Sequence, residues 1–240
     1  MAHNGISIKM SLSGPRTRIK ICGLTRHEDV RAAVSAGADA LGFVFYANSP
    51  RYVAPCVAGG LIAAVPPFVT TVGLFVNATP QEVMAIVAQA PLALLQFHGD
   101  ETPLQCHAIA KAVNRPFMRA IRVGPATTGA DLIEYEQEYR AGGRLFAGLL
   151  LDTLVDGYGG SGKVFDWSLI PKELAPRVVL SGGLNVQNAT DAVLHVRPFA
   201  VDVSSGVELT RGIKDAVKIR AFIEAVRSAD AISPGILGTE

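Results

Sequence analysis

Two side chains, each closing a run of strand-forming residues, are placed to move protons. Cys22 ends the first β-branched run, Arg18-Ile19-Lys20-Ile21-Cys22, and Asp152 ends the run Leu149-Leu150-Leu151 about 130 residues later. A thiol and a carboxyl at strand tips suggest an acid–base pair on one rim of a parallel barrel, the chemistry of an isomerase. A free thiol with a pKa of about 8.5 is only ~3% thiolate at pH 7. Lowering that value by ~1.5 units takes ~2 kcal/mol of preferential anion stabilisation. Lys20 or a substrate cation could contribute it; strand alternation puts Lys20 on the same face as Cys22, in the barrel mouth or one layer below. The aspartate has the opposite requirement: an ordinary carboxyl, with a pKa of about 3.9, keeps a proton in about one molecule in a thousand at pH 7. To act as a general acid it must be raised by ~2–3 units, through desolvation or a neighbouring negative charge. The bland alternatives are an inert core thiol and an aspartate that merely caps its own loop.

Anion-binding chemistry lies in other loops. Ser181-Gly182-Gly183-Leu184 and Val203-Ser204-Ser205-Gly206 end the seventh and eighth apolar runs. Their small residues let backbone N–H groups approach a phosphate, with helices expected to start just after. Loops seven and eight form the usual phosphate corner of such barrels, so Gly182, Gly183, Ser204, Ser205 and Gly206 are the candidate phosphate ligands. Arg51, in Asn48-Ser49-Pro50-Arg51-Tyr52, is stiffened by the preceding proline and could make paired bonds to a carboxylate; a solvated surface arginine is the alternative. His98, in Gln96-Phe97-His98-Gly99-Asp100, is read as a hydrogen-bonded rim residue rather than a proton carrier. The stretch Asp156 to Lys163 holds Gly157, Gly159, Gly160 and Gly162. It fails the GxxxxGK[ST] pattern, because Val164 follows Lys163, and reads as a flexible lid after strand six.

The elements that must position these residues recur at a nearly even beat. Apolar runs centre near Ile19, Leu41, Val72, Leu94, Phe117, Phe146, Val178 and Val201. Continuous rather than alternating apolar runs predict strands buried on both faces, as in a parallel sheet. Helix starts are predicted where Thr25 precedes Glu28, Thr79-Pro80 precedes Glu82 and Thr102-Pro103 precedes Gln105, each offering a reciprocal capping box. Apolar residues at helical spacing follow, as in Val83, Ile86, Val87 and Ala90, or Val217, Ala221, Phe222, Ala225 and Val226. Gly37 is expected to close the first helix. Eight βα units without a GxGxxG after the first strand favour an α/β fold of one closed (βα)8 TIM barrel over an open doubly wound sheet.

Bulk properties fit that frame. The 240 residues are 49% hydrophobic and 18% charged with a net charge of +1, enough for a large core and without the basic excess of a nucleic-acid partner. Three cysteines without CxxC spacing argue for a reducing compartment and against a disulfide framework or zinc site. No apolar run reaches about 18 residues, and residues 1–17 lack the apolar centre of a secretory signal. The expectation is a cytoplasmic enzyme with a disordered leader over 1–17, a catalytic barrel over 18–229 and a loose tail over 230–240.

The stretches KICGL, GADALGFVF, SPRYV, VGLFVN, QFHGDE, LLLDT, GGSGKVFDW, LSGGLN, VDVSSGVE and GIKD together resemble the phosphoribosylanthranilate isomerase family of tryptophan biosynthesis. The resemblance runs from about Arg18 to Arg227, with Phe97 and Ser161 standing where the family has Leu and Thr. It implies an Amadori rearrangement of N-(5-phosphoribosyl)anthranilate to the carboxyphenylamino-deoxyribulose 5-phosphate, without metal or organic cofactor. It further implies Asp152 as general acid, Cys22 as general base, Arg51 at the anthranilate and the two small-residue loops at the phosphate. The expected partner is a small phosphorylated substrate, with no nucleic acid and no membrane, in a monomer or homodimer. Rival readings are the histidine-pathway isomerase, disfavoured by Cys22 where an aspartate is expected, a non-catalytic phosphate-binding barrel, and a Schiff-base aldolase using Lys20.

Overall fold

Each apolar run becomes a strand that pairs in parallel with the next in sequence, and the last closes on the first. The computed structural model describes residues 16–154 and 164–232. Its closed barrel comprises β1 (Arg18–Cys22), β2 (Ala40–Val44), β3 (Thr70–Phe75), β4 (Leu94–Phe97), β5 (Phe117–Val123), β6 (Phe146–Thr153), β7 (Val179–Leu180) and β8 (Ala200–Val203). The closing register pairs Lys20 with Asp202 and Ile21 with Val203. Side-chain alternation then sorts each strand. One parity (Ile19, Ile21, Leu41, Phe43, Leu95, Phe97, Val201, Val203) packs outward in the large core shared with the helices. The other parity fills the barrel with a separate apolar plug of Val72, Met118, Ala120, Leu150, Val179 and Ala200. Above that plug, the same inward rows end in Cys22, Gln96, Asp152, Ser181 and Asp202 at the C-terminal mouth.

The helices are α1 (His27–Ala36), α2 (Pro55–Ala63), α3 (Pro80–Gln89), α4 (Pro103–Val113), α5 (Gly129–Ala141), α6 (Ala189–Val196) and α7 (Ala216–Ile232). Thr79 and Thr102 make the expected capping boxes with Glu82 and Gln105, and Gly37 ends α1 in the left-handed conformation. Thr25 does not cap α1. Its hydroxyl donates to the Gly212 carbonyl, and the helix starts two residues later behind Arg26, which pairs with Asp29. On α7 the buried face is Ile219, Phe222, Ile223, Val226 and Ala229, whereas Val217 is exposed, so the expected stripe was out of phase at its start.

Two of the eight expected units depart from strand–helix form among the described residues. After β6 come two 3-10 turns, Trp167–Leu169 and Ala175–Arg177, in place of an α-helix. After β8 an antiparallel hairpin, β9 (Glu208–Thr210) and β10 (Ile213–Lys214), precedes α7. The ends of the barrel also lie slightly outside 18–229. Thr17 is buried and bonded to Asp230, and α7 continues through Ile232. No helix among the described residues is long and apolar enough to cross a membrane.

Candidate active site

The barrel mouth holds a pocket with about 750 Å³ of open space, lined by Cys22, Arg51, Gln96, His98, Asp152, Ser181, Gly182, Gly183, Asp202, Ser204 and Ser205 among others. The thiol and the carboxyl therefore face one compartment, as their matching strand-tip positions suggest.

Asp152 is fixed through both oxygens. Oδ1 accepts the Thr153 N–H at 2.8 Å, and Oδ2 lies 3.1 Å from His98 Nε2. Gln96, fully buried one strand turn away, donates from its side-chain amide to His98 Nδ1 at 3.2 Å, which leaves the ring proton on Nε2 for Asp152. That orientation leaves Gln96 Oε1 without a partner among the described residues. Gly182, at φ 82°, lets loop seven pass beside the acid: a Cβ there would stand 2.4 Å from the Thr153 nitrogen and 2.9 Å from Asp152 Oδ1.

His98 thus sits on the acid rather than merely on the rim. Its loop is held from below by buried Arg119 on β5, which donates to the carbonyls of Phe97 and Gly99 and to Glu101 Oε2. Glu101 in turn accepts the N–H groups of Asn77 and Gly99. Arg119 and Glu101 thus meet each other's charge and the loop's backbone groups, as a dry environment requires.

Cys22 is only 4% exposed. Lys20 lies one layer below, its Nζ donating to Asp202 Oδ1 at 2.8 Å, and Ser181 Oγ donates to the other Asp202 oxygen at 3.3 Å. Burial pushes the Cys22 thiol up, and the Lys20 ammonium offsets only part of that push while Asp202 adds to it. Lys20 thus acts on the thiol in the expected direction, but burial outweighs it. For Lys20 itself burial works against the charge, but Asp202 and Cys22 keep the ammonium above the ordinary lysine range.

Arg51 is not a solvated surface residue. It is 8% exposed, and its Nε and Nη2 donate to the two oxygens of Glu208 at 2.7 and 2.9 Å. The paired bonds anticipated for a ligand carboxylate are thus made on one edge of the guanidinium to a protein carboxylate. Burial opposes the Glu208 charge, but Arg51 and Lys214 hold the carboxyl below the usual range.

Of the loops expected to bind phosphate, Gly182, Gly183, Ser204 and Ser205 line the pocket. Gly206 stands behind it, bridged to Asn185, and a Cβ there would be 2.0 Å from the Leu184 carbonyl oxygen, so its small size serves the contact between loops seven and eight. The helix expected directly after each loop is displaced: α6 starts at Ala189 behind Asn188, and β9 and β10 separate β8 from α7. The lid glycines Gly157, Gly159, Gly160 and Gly162 lie outside the described residues. Residues the strand-by-strand reading passed over are Asp202, Gln96, Glu208, Lys214 and Arg119. Alternation signals the first two, being two residues before Ser204 and His98 on inward rows. The other three are visible only across strands.

Comparison with known proteins agrees with this geometry. The family whose sequence pattern matches residues 19–225 is described as N-(5'phosphoribosyl)anthranilate (PRA) isomerase. A relative from Herminiimonas arsenicoxydans named N-(5'-phosphoribosyl)anthranilate isomerase is 72% identical over 216 residues, 90% of this chain and 95% of that protein. The crystal structure of phosphoribosyl anthranilate isomerase from Thermotoga maritima is 43% identical, with a TM-score of 0.78, covering 88% of this chain and 99% of its own. A structure of that enzyme type in complex with reduced 1-(o-carboxyphenylamino)-1-deoxyribulose 5-phosphate is 40% identical, with a TM-score of 0.75 and the same coverage.

Proposed function

The chain belongs to the N-(5'-phosphoribosyl)anthranilate isomerase family of tryptophan biosynthesis, and we propose that it runs the Amadori rearrangement of that substrate with Asp152 as acid and Cys22 as base. The observation that carries the assignment is the shared pocket: one carboxyl and one thiol open into the same space between an arginine and two small-residue loops.

Asp152 gives its proton to the ribose ring oxygen, and the ring opens to a protonated imine. Cys22, as thiolate, takes the proton from the second sugar carbon, whose electrons flow to the cationic nitrogen. The enolamine then moves the proton of its hydroxyl, through solvent, to the first carbon and becomes the ketone. The proton on Cys22 returns through solvent to Asp152, which closes the cycle. His98 holds the carboxyl towards the substrate through the 3.1 Å contact to Oδ2. Since burial keeps the thiol up, the positive imine next to it is the partner that favours thiolate at the moment it is needed.

Arg51 takes the anthranilate carboxylate, and Gly182, Gly183, Ser204 and Ser205 take the phosphate, with Gly206 holding their two loops together. Three free thiols, Cys22, Cys56 and Cys106, support a reducing, cytoplasmic setting. The test is turnover of freshly generated N-(5'-phosphoribosyl)anthranilate, followed by the loss of its fluorescence. Turnover supports the assignment, and an unchanged signal with active control enzyme refutes it.

A further inference from the structure

Two cations converge on one carboxylate beside the pocket. Arg51 meets Glu208 as described, and Lys214 Nζ donates to Glu208 Oε1 at 2.9 Å. The side-chain exposures are 9% for Arg51, 6% for Glu208 and 0% for Lys214. Among the described residues one carboxylate meets the two cations, so one positive charge in excess of it sits in a dry place, a costly arrangement unless an anion arrives.

The guanidinium geometry says where. A guanidinium presents two edges able to hold a carboxylate by paired bonds, one through Nε and one Nη, the other through both Nη atoms. Glu208 occupies the first edge, so the Nη1–Nη2 edge is the one left for a ligand. On its other side, Lys214 Nζ donates to the Ser204 carbonyl at 3.0 Å and approaches Ser204 Oγ at 3.4 Å. Ser204 Oγ in turn donates to the Cys22 carbonyl at 3.0 Å. The β9–β10 hairpin thus joins the residue read as the carboxylate clamp to the loop read as the phosphate cradle.

We propose that Glu208 and Lys214 are positioning residues that fix the spacing between the two anion-binding ends of the site, Glu208 by setting the rotamer of Arg51 and Lys214 by holding Ser204. This rests on the reading of Arg51 and Ser204 given above.

The test compares three ligands by titration calorimetry on the full chain: reduced 1-(o-carboxyphenylamino)-1-deoxyribulose 5-phosphate, its phenylamino counterpart lacking the carboxyl, and inorganic phosphate. The unaltered enzyme should prefer the carboxylated ligand by about tenfold or more, as a charge-assisted pair implies. Glu208→Gln loses one of the two acceptors facing Arg51 but keeps an amide oxygen for Lys214, so it should shrink that preference to about threefold or less while phosphate binding stays within about twofold. Glu208→Asp, which keeps the charge but shortens the reach, should shrink it too. Lys214→Met should weaken both phosphorylated ligands alike, by about tenfold, and Lys214→Arg should recover most of that loss.

A full carboxyl preference in both Glu208 variants overturns the proposal, as does unaltered phosphate binding in Lys214→Met. Arg51→Lys separates the two levels. If it too keeps the preference, the clamp reading has failed; if it loses the preference while the Glu208 variants keep it, only the positioning role has.

Discussion

His98 Nε2 stands 3.1 Å from Asp152 Oδ2, and the amide of Gln96 donates to the other ring nitrogen. The Asp152 carboxyl is therefore held by a histidine whose own ring is bonded by a buried glutamine. His98→Ala should lower kcat by about 10–100-fold while KM changes by less than about threefold, since the contact matters for proton delivery rather than for binding. Steady-state kinetics on the variant decide this. A rise in KM with normal kcat would reassign His98 to substrate binding.

The raised Cys22 thiol sets a pH dependence. The reacting form needs a protonated carboxyl and a thiolate at once, so thiolate gained with rising pH is offset by protonated acid lost, and kcat/KM should stay level until the thiol itself has titrated. Because burial raises Cys22, the alkaline fall of kcat/KM should begin only above the ordinary thiol value of about 8.5. In the substrate complex the imine cation favours thiolate, so the alkaline fall of kcat should lie at lower pH than that of kcat/KM. Profiles of both parameters up to alkaline pH check the order; coincident falls would show that the substrate does not tune the thiol.

Gly42 on β2 packs beside Cys22, its register partner on β1. An added methyl would lie 2.8 Å from Cys22 Sγ and 3.1 Å from both Cys22 Cα and Lys20 Nζ. Gly42→Ala should therefore displace the sulfur, with turnover falling at least about tenfold and stability by ~1–3 kcal/mol through overpacking. Turnover of the variant and denaturant unfolding, followed through Trp167, the chain's single tryptophan, measure the two effects.

The Lys20–Asp202 pair is buried on both sides, with side-chain exposures of 4% and 6%. Asp202→Asn leaves the ammonium without its counterion and should cost ~3–5 kcal/mol. The folded-state Lys20 value lies above the unfolded one, so its stabilisation is complete below the unfolded lysine pKa of about 10.4 and disappears as pH rises through the folded value. Unfolding measured from pH 7 upward should show this alkaline loss in the unaltered protein and a weaker one in Asp202→Asn.

How much of this was legible in sequence depended on how local the cause was. The strands announced themselves because a run buried on both faces can be little else, and the caps at Thr79 and Thr102 because a threonine and an acceptor three residues on satisfy each other. The same pattern at Thr25 misled, since its hydroxyl goes to Gly212, 187 residues away, while Arg26 and Asp29 define the helix start. The box at Thr128 and Asp131 escaped notice because aspartate replaces the longer acceptor in its pattern. Cys22 and Asp152 were readable as strand tips. The Arg51–Glu208 pair spans 157 residues and exists only once the barrel has closed, and nothing local marks the hairpin between β8 and α7.

The most direct measurement of the central claim is turnover by Cys22→Ala and Asp152→Asn, each shown to retain the unaltered circular dichroism spectrum and to bind reduced 1-(o-carboxyphenylamino)-1-deoxyribulose 5-phosphate. With both groups acting on one bound sugar, each variant should lose about 10²–10⁴-fold in kcat while still binding the analogue. Near-normal turnover in either one would contradict the account.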